Sequence, residues 1–181
     1  MHYTGTYCDL RLVEPSDAKI ILEFRLNIKL NKFLSQTKSD LKAQESWIMK
    51  YKEREKNGTE YYFLVIDKNG IPCGTIRIYN IDYSENRFTI GSWIIRENSD
   101  PRISIESLLA AEKYAYCQLG LIYNYFDVRK GNKSVVRFHK NRGANLIGED
   151  DLNYYFIFNK SSFEKYLDSI SRIVGIKDFL L

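Results

Sequence analysis

A single histidine stands inside a run of cations. His139 is surrounded in sequence by Arg129, Lys130, Lys133, Arg137, Lys140 and Arg142, and no acidic residue falls between Arg129 and Gly148. An imidazole with an unperturbed pKa of ~6.5 can exchange a proton near neutrality. A helix N-terminus at Asn132-Lys133, ringed by cations, favours an anion such as phosphate. The plainer alternatives are a solvated helix face and a surface histidine on it. Nucleic acid is a weaker third reading and is not expected as a partner: the pI near 8.8 comes without an RNA- or DNA-binding motif, and the 14 tyrosines are spread along the chain instead of alternating with basic residues. Cys8, Cys73 and Cys117 are odd in number and widely spaced, which fits neither a disulfide framework nor a Cys-x-x-Cys metal site. They read as buried free thiols, and no metal is expected.

The elements that position His139 follow from the flanking pattern. Tyr123, Tyr125, Phe126 and Val128 carry the aromatic and β-branched bias of a buried strand, and Gly131-Asn132 supplies a turn with a helix cap. Val135 and Phe138 stand three apart on one face of a short helix. Gly143 marks its left-handed C-terminal end, and Leu146-Ile147 opens another strand. Upstream, Leu10–Val13 reads as a strand and Ser16 as the N-cap of a helix reaching Asn27. Asn31–Ser39 reads as loop, and a second helix spans Asp40–Lys56. Tyr61–Ile66, Ile71–Tyr79 and Arg87–Ile95 form an antiparallel meander, with Gly74 as a bulge or close packing point. Asp100-Pro101 caps a helix running to Leu119, where Gly120 ends it. Asn153–Phe158 is the last strand and Ser161–Ile173 the last helix. The apolar tail Val174–Leu181 suits docking on the body or on a second subunit as a homodimer.

The frame Asn132, then Phe138-His139, then Gly143-Ala144 resembles the C-terminal half of the GCN5-related N-acetyltransferase (GNAT) superfamily. There a strand leads to Asn, a helix carrying an aromatic-Tyr pair, and Gly followed by an aromatic residue. His139 stands where that family usually has Tyr, and Ala144 where it usually has Phe. The resemblance extends from about Leu10 to Asn159. It implies an α/β (α+β) chain with a GNAT-like fold, a central mixed and mostly antiparallel splayed sheet flanked by helices, and a single domain over residues 1–181. It also implies acetyl-CoA or another acyl-CoA as cosubstrate. The pantetheine arm would lie on Ser92, Trp93, Ile94 and Ile95, while Arg102, Ile103, Ser104, Asn132 and Phe138 complete the cofactor site. His139, in the position of the family's Tyr, would be the general acid for the departing thiolate, its pKa raised by a nearby phosphate. No residue is singled out as base. Registered on Glu106, the glycines of the family's pyrophosphate loop become Asp100 and Arg102. Pro101 lacks a donor and Asp100 brings negative charge, so the phosphate site is altered.

The implied activity is N-acyl transfer to a primary amine on a small molecule. The Asp-Val-Arg-Lys-Gly-Asn turn and the glycine-free loop look like bacterial members associated with surface-polysaccharide sugars, which suggests an amino group on a nucleotide-linked deoxysugar. A protein N-terminus is the enzyme alternative. A non-catalytic binding module that kept the fold is the other class. The 181 residues, 44% hydrophobic with mean hydropathy −0.38, suffice for a core without metals or disulfides. No apolar run reaches the ~18 residues of a membrane helix and no leader pattern opens the chain, so the expected location is the cytoplasm.

Overall fold

The computed structural model describes residues 2–33 and 37–176. Its strands are β1 (His2–Thr4), β2 (Cys8–Leu12), β3 (Tyr61–Asp67), β4 (Pro72–Asp82), β5 (Arg87–Ile95), β6 (Tyr123–Arg129), β7 (Asn145–Glu149) and β8 (Asn153–Asn159). The α-helices are α1 (Ala18–Leu26), α2 (Leu41–Lys56), α3 (Pro101–Lys113), α4 (Lys133–Asn141) and α5 (Lys160–Val174). One mixed sheet runs β1-β2-β3-β4-β5-β6-β8-β7. Its neighbours are antiparallel except β5 and β6, which are parallel and joined through α3. A parallel pair requires such a crossover.

Helices cover both faces of the sheet, which explains the unbroken apolar run of β3. Phe63 and Val65 face a core shared with Leu108, Leu109 and Phe156, whereas Tyr62 and Leu64 face a second core with Ile21, Phe24, Ile48 and Tyr51. The period of two in strand side chains makes that division. Each such side chain contributes roughly 1.5–3 kcal/mol when fully buried. Gly74 is a close packing point: a Cβ there would lie 2.2 Å from the Ile94 carbonyl oxygen.

Several expectations are corrected. Strand β1 was not anticipated; it is held by the carboxylate of Glu106 on α3, which accepts the N–H groups of Thr6 (2.7 Å), Tyr7 (2.7 Å) and Cys8 (2.8 Å) in the turn to β2. Ser16 caps nothing. Glu14 and Asp17 cap a 3-10 turn at Pro15–Asp17 reciprocally, and α1 starts only at Ala18. The helix from Pro101 does not continue regularly to Leu119: after Lys113 a π-helical turn covers Tyr114–Gln118. That wider turn faces Tyr116 into the core, where its hydroxyl donates to the Phe158 carbonyl at 2.6 Å. On α4 the most buried residues are Val136 and His139, while the expected Val135 and Phe138 pack against the core partly buried. Cys8 and Cys73 are buried, but Cys117 is exposed. Of the expected tail, Ile176 reaches the core, while 177–181 lie outside the described residues, as do 34–36 of the expected loop. Among the described residues no helix is long and apolar enough to cross a membrane.

Candidate active site

Strands β5 and β6 share only two ladder pairs, Arg87 with Tyr123 and Phe88 with Asn124. Beyond them the strands part. On β5 the register against β4 slips between Thr75 and Arg77, and Ser92 adopts φ +47° opposite the slip. A serine in the left-handed region is held there by its surroundings. Its carbonyl accepts the Thr75 hydroxyl at 2.9 Å, and Gly91 lies close under the Tyr79 ring, which a Cβ would approach to 2.9 Å. The split opens as a cleft of about 160 Å³, walled by Ile90, Gly91, Ser92 and Trp93 on one side and Phe126, Asp127, Val128 and Arg129 on the other. Asn124, Asn132, His139 and Arg142 also line it.

A buried polar chain forms the floor. The Asn124 amide accepts the Ile90 N–H at 3.2 Å and donates to Glu112 at 3.3 Å. Glu112 is paired with Arg142 through two hydrogen bonds of 2.7 Å each, and their side chains are 0% and 1% exposed. Arg142 Nε in turn donates to His139 Nδ1 at 3.1 Å. Burial, reinforced by the Arg142 charge, pushes the His139 pKa down to about 2. This corrects the expected direction: His139 is a neutral imidazole in the fold, because the desolvation of an imidazolium and the adjacent cation both oppose its protonation. It is not held ready as a charged acid.

The cleft brings together four of the residues named from sequence, Ser92, Trp93, Asn132 and His139. Ile94 and Ile95 continue β5 in ladder pairs with Thr75 and Gly74, and Ile94 packs into the second core. Phe138 does not line the cleft; its ring packs on Trp93 and His139. Arg102, Ile103 and Ser104 sit at the start of α3, apart from the cleft lining. There Asp100 accepts the Arg102 N–H at 2.9 Å through its side chain and the Ile103 N–H at 2.9 Å through its carbonyl. The Arg102 guanidinium pairs with the same carboxylate and lies over the Tyr7 ring at 4.1 Å. The donors expected to meet phosphate are therefore engaged by Asp100. Asn132 occupies the N-cap of α4, yet its side chain accepts from the Ser134 hydroxyl instead of the backbone.

Residues 9–145 match the family model described as Acetyltransferase (GNAT) domain. This chain is a GNAT protein. Its fold agrees with FdhC, described as a nucleotide-linked sugar GNAT, at TM-score 0.88 and 38% identity, over 97% of this chain and 99% of that one. Spermidine N-acetyltransferase from Vibrio cholerae, in complex with CoA and spermine, superposes at TM-score 0.75 with 18% identity, covering 87% and 98% of the two chains. Ribosomal-protein-S5-alanine acetyltransferase from Vibrio fischeri does so at 0.78 with 15% identity, covering 90% and 98%. The latter two share the fold alone. Comparison with curated protein sequences gives no match.

The family to which this chain belongs uses acetyl-CoA. The residues present fit the arm of that molecule: the split leaves the β5 backbone at Gly91–Trp93 facing a cleft instead of β6. The N-terminus of α3, where the resemblance would put the phosphates, is capped by Asp100. The sequence reading missed Asn124 and Glu112 as parts of the site, and took Arg142 only as one of a run of cations. Two signals pointed to them. Glu112 follows Leu108 by one helical turn on the apolar face of α3, and Asn124 shares the inward register of Phe126 and Val128. A polar residue on a buried face needs a buried partner.

Proposed function

We propose that this GNAT chain transfers an acyl group from a coenzyme A thioester to a primary amine on a nucleotide-linked amino sugar. The amine nitrogen bonds to the acyl carbon, the carbon–sulfur bond breaks, and the proton lost by nitrogen ends on the thiolate, giving an amide and a free thiol. The observation carrying this reading is the cleft at the β5–β6 split in a chain 38% identical, over nearly its whole length, to a nucleotide-linked sugar GNAT. The chain's part is to hold the arm along Gly91–Trp93, exclude water with Trp93 and Phe126, and present Nε2 of His139 from the floor.

A second depression, lined by Tyr79, Thr89, Tyr125 and Tyr155, meets the first at Phe126 and Asp127, which line both. We assign it to the acceptor. Aromatic faces suit a sugar or base, and the Asp127 carboxylate at the junction suits an ammonium group entering to lose its proton.

The occupied N-terminus of α3 favours a second reading, a GNAT-fold binding module without catalysis. Calorimetric titration with acetyl-CoA, followed by thiol release with nucleotide-linked amino deoxysugars, spermidine and a peptide N-terminus, separates the readings. Micromolar cofactor binding with turnover of the nucleotide sugar alone is the expected result. Turnover of the polyamine or peptide instead would replace the acceptor, and no binding at millimolar acetyl-CoA would leave the binding module.

A further inference from the structure

The buried chain from Glu112 to His139 fixes more than packing. A guanidinium carries donors and no acceptor, so the nitrogen of His139 that faces Arg142 Nε at 3.1 Å is the one bearing the lone pair. In the neutral imidazole the hydrogen is then on Nε2. The arrangement admits no exchange of roles, because no guanidinium nitrogen can accept; the two terminal nitrogens bind Glu112 at 2.7 Å each and Nε faces the ring. The ring is also clamped in place, with centroids 4.4 Å from Phe126 and 5.1 Å from Phe138. Turning it over would set a C–H against the guanidinium and lose the bond.

Asn124, Glu112 and Arg142 have all their polar atoms engaged in this chain, whereas His139 Nε2 has no partner among the described residues, on a side chain that lines the cleft. That nitrogen is open to the cleft and is not one of the sealed unpaired polar atoms, so an N–H there is available to a bound molecule. Its complement is an acceptor brought by the ligand.

We infer that the Glu112–Arg142 pair is a positioning device that holds His139 as its Nε2–H tautomer, making it a fixed hydrogen-bond donor to the thioester carbonyl oxygen. A donor fixed before substrate arrives stabilises the negative charge that grows on that oxygen without reorganising. This role differs from that of a titrating acid, which must give up and regain its proton at each turnover. It rests on the acyltransferase reading for the identity of the acceptor oxygen; the tautomer itself does not.

Long-range 1H–15N correlation spectra of the full chain labelled at histidine test the tautomer without any activity. The chain has two histidines, His2 and His139, so loss of one pattern in the His139→Gln variant assigns the signals. His139 is expected to show an unprotonated Nδ1 and a protonated Nε2, unchanged from about pH 8 to about pH 5.5. A hydrogen on Nδ1, or on both nitrogens, would overturn the inference. The variant Glu112→Gln with Arg142→Met removes both charges, so neither is left buried alone. Both tautomers should then appear and the ring should titrate; a single Nε2–H form persisting there would remove Arg142 from the role. In turnover, the Gln side chain can replace the Nε2 donor but cannot act as an acid. His139→Gln should lose about tenfold in kcat and His139→Phe on the order of 10²-fold, with KM for acyl-CoA held. Equal losses in the two would sink the donor role, whereas failure of every acceptor to react would count against the acyltransferase reading and leave the spectra to decide the tautomer.

Discussion

The Asn124 side chain accepts the Ile90 N–H at 3.2 Å, two residues past Phe88, where the ladder between β5 and β6 ends. An amide side chain thus closes the apex of the split and simultaneously joins it to Glu112. Replacing Asn124 by Leu leaves the part-buried Ile90 N–H without its acceptor and Glu112 without one donor. A loss of about 1–3 kcal/mol in urea unfolding is expected, together with weaker acetyl-CoA binding as the apex loosens. Stability equal to that of the parent chain would show that the apex does not depend on this bond.

His139 should make the fold acid-sensitive. Its pKa is lowered to about 2 in the fold, by burial first and Arg142 second, against ~6.5 in the unfolded chain. Below pH ~6.5 the unfolded chain therefore binds a proton that the folded chain refuses, so this stability is full above ~6.5 and is lost as pH falls toward 2. Between about pH 6.5 and pH 5, before most carboxylates titrate, the slope attributable to His139 is at most about 1.4 kcal/mol per pH unit. Urea midpoints across that window should fall in the parent and stay flatter in His139→Phe. Parallel curves would contradict the assignment.

Asp100 should oppose the cofactor's phosphates. Hydrogen bonds from Arg102 hold its carboxyl at about 2, so it is charged at any working pH. Asn caps a helix as well as Asp does, so Asp100→Asn removes the charge and keeps the cap. Calorimetry should then show acetyl-CoA binding tightened by roughly threefold at low salt, the difference shrinking as salt is added. Weakened binding would mean that Asp100 assists the ligand.

Gly74 should tolerate no side chain. An alanine Cβ would stand 2.2 Å from the Ile94 oxygen and 2.6 Å from Ile95 Cδ1, so β5 must move away from β4. Destabilisation of about 1–3 kcal/mol in thermal or urea unfolding is expected for Gly74→Ala. Because β5 carries the irregular turn at Ser92, acetyl-CoA affinity should fall as well. A variant as stable as the parent would show that the sheet yields at this point.

Much of this molecule was legible in its residues. Strand periodicity located β3 to β6 and β8, because alternation and burial act over four to eight neighbours and need no tertiary knowledge. Asp100-Pro101 announced the start of α3 and Gly143 the end of α4, since each satisfies a backbone requirement local to one turn. The frame around Asn132, His139 and Gly143 pointed to the family, and the family model spans 9–145.

The electrostatic setting of His139 was not legible, because it depends on residues distant in the chain. Arg142 looked like one more cation in a solvated run, and only the tertiary fold sets it on Glu112, 30 residues away. The same contact turns His139 inward and keeps it neutral, where sequence alone suggested a proton donor in a basic surround. Residue types determined the fold and the cluster of groups near the β5–β6 split. Tertiary structure decided their charge states, since desolvation and pairing are properties of what lies across the interface and not of what precedes or follows along the chain.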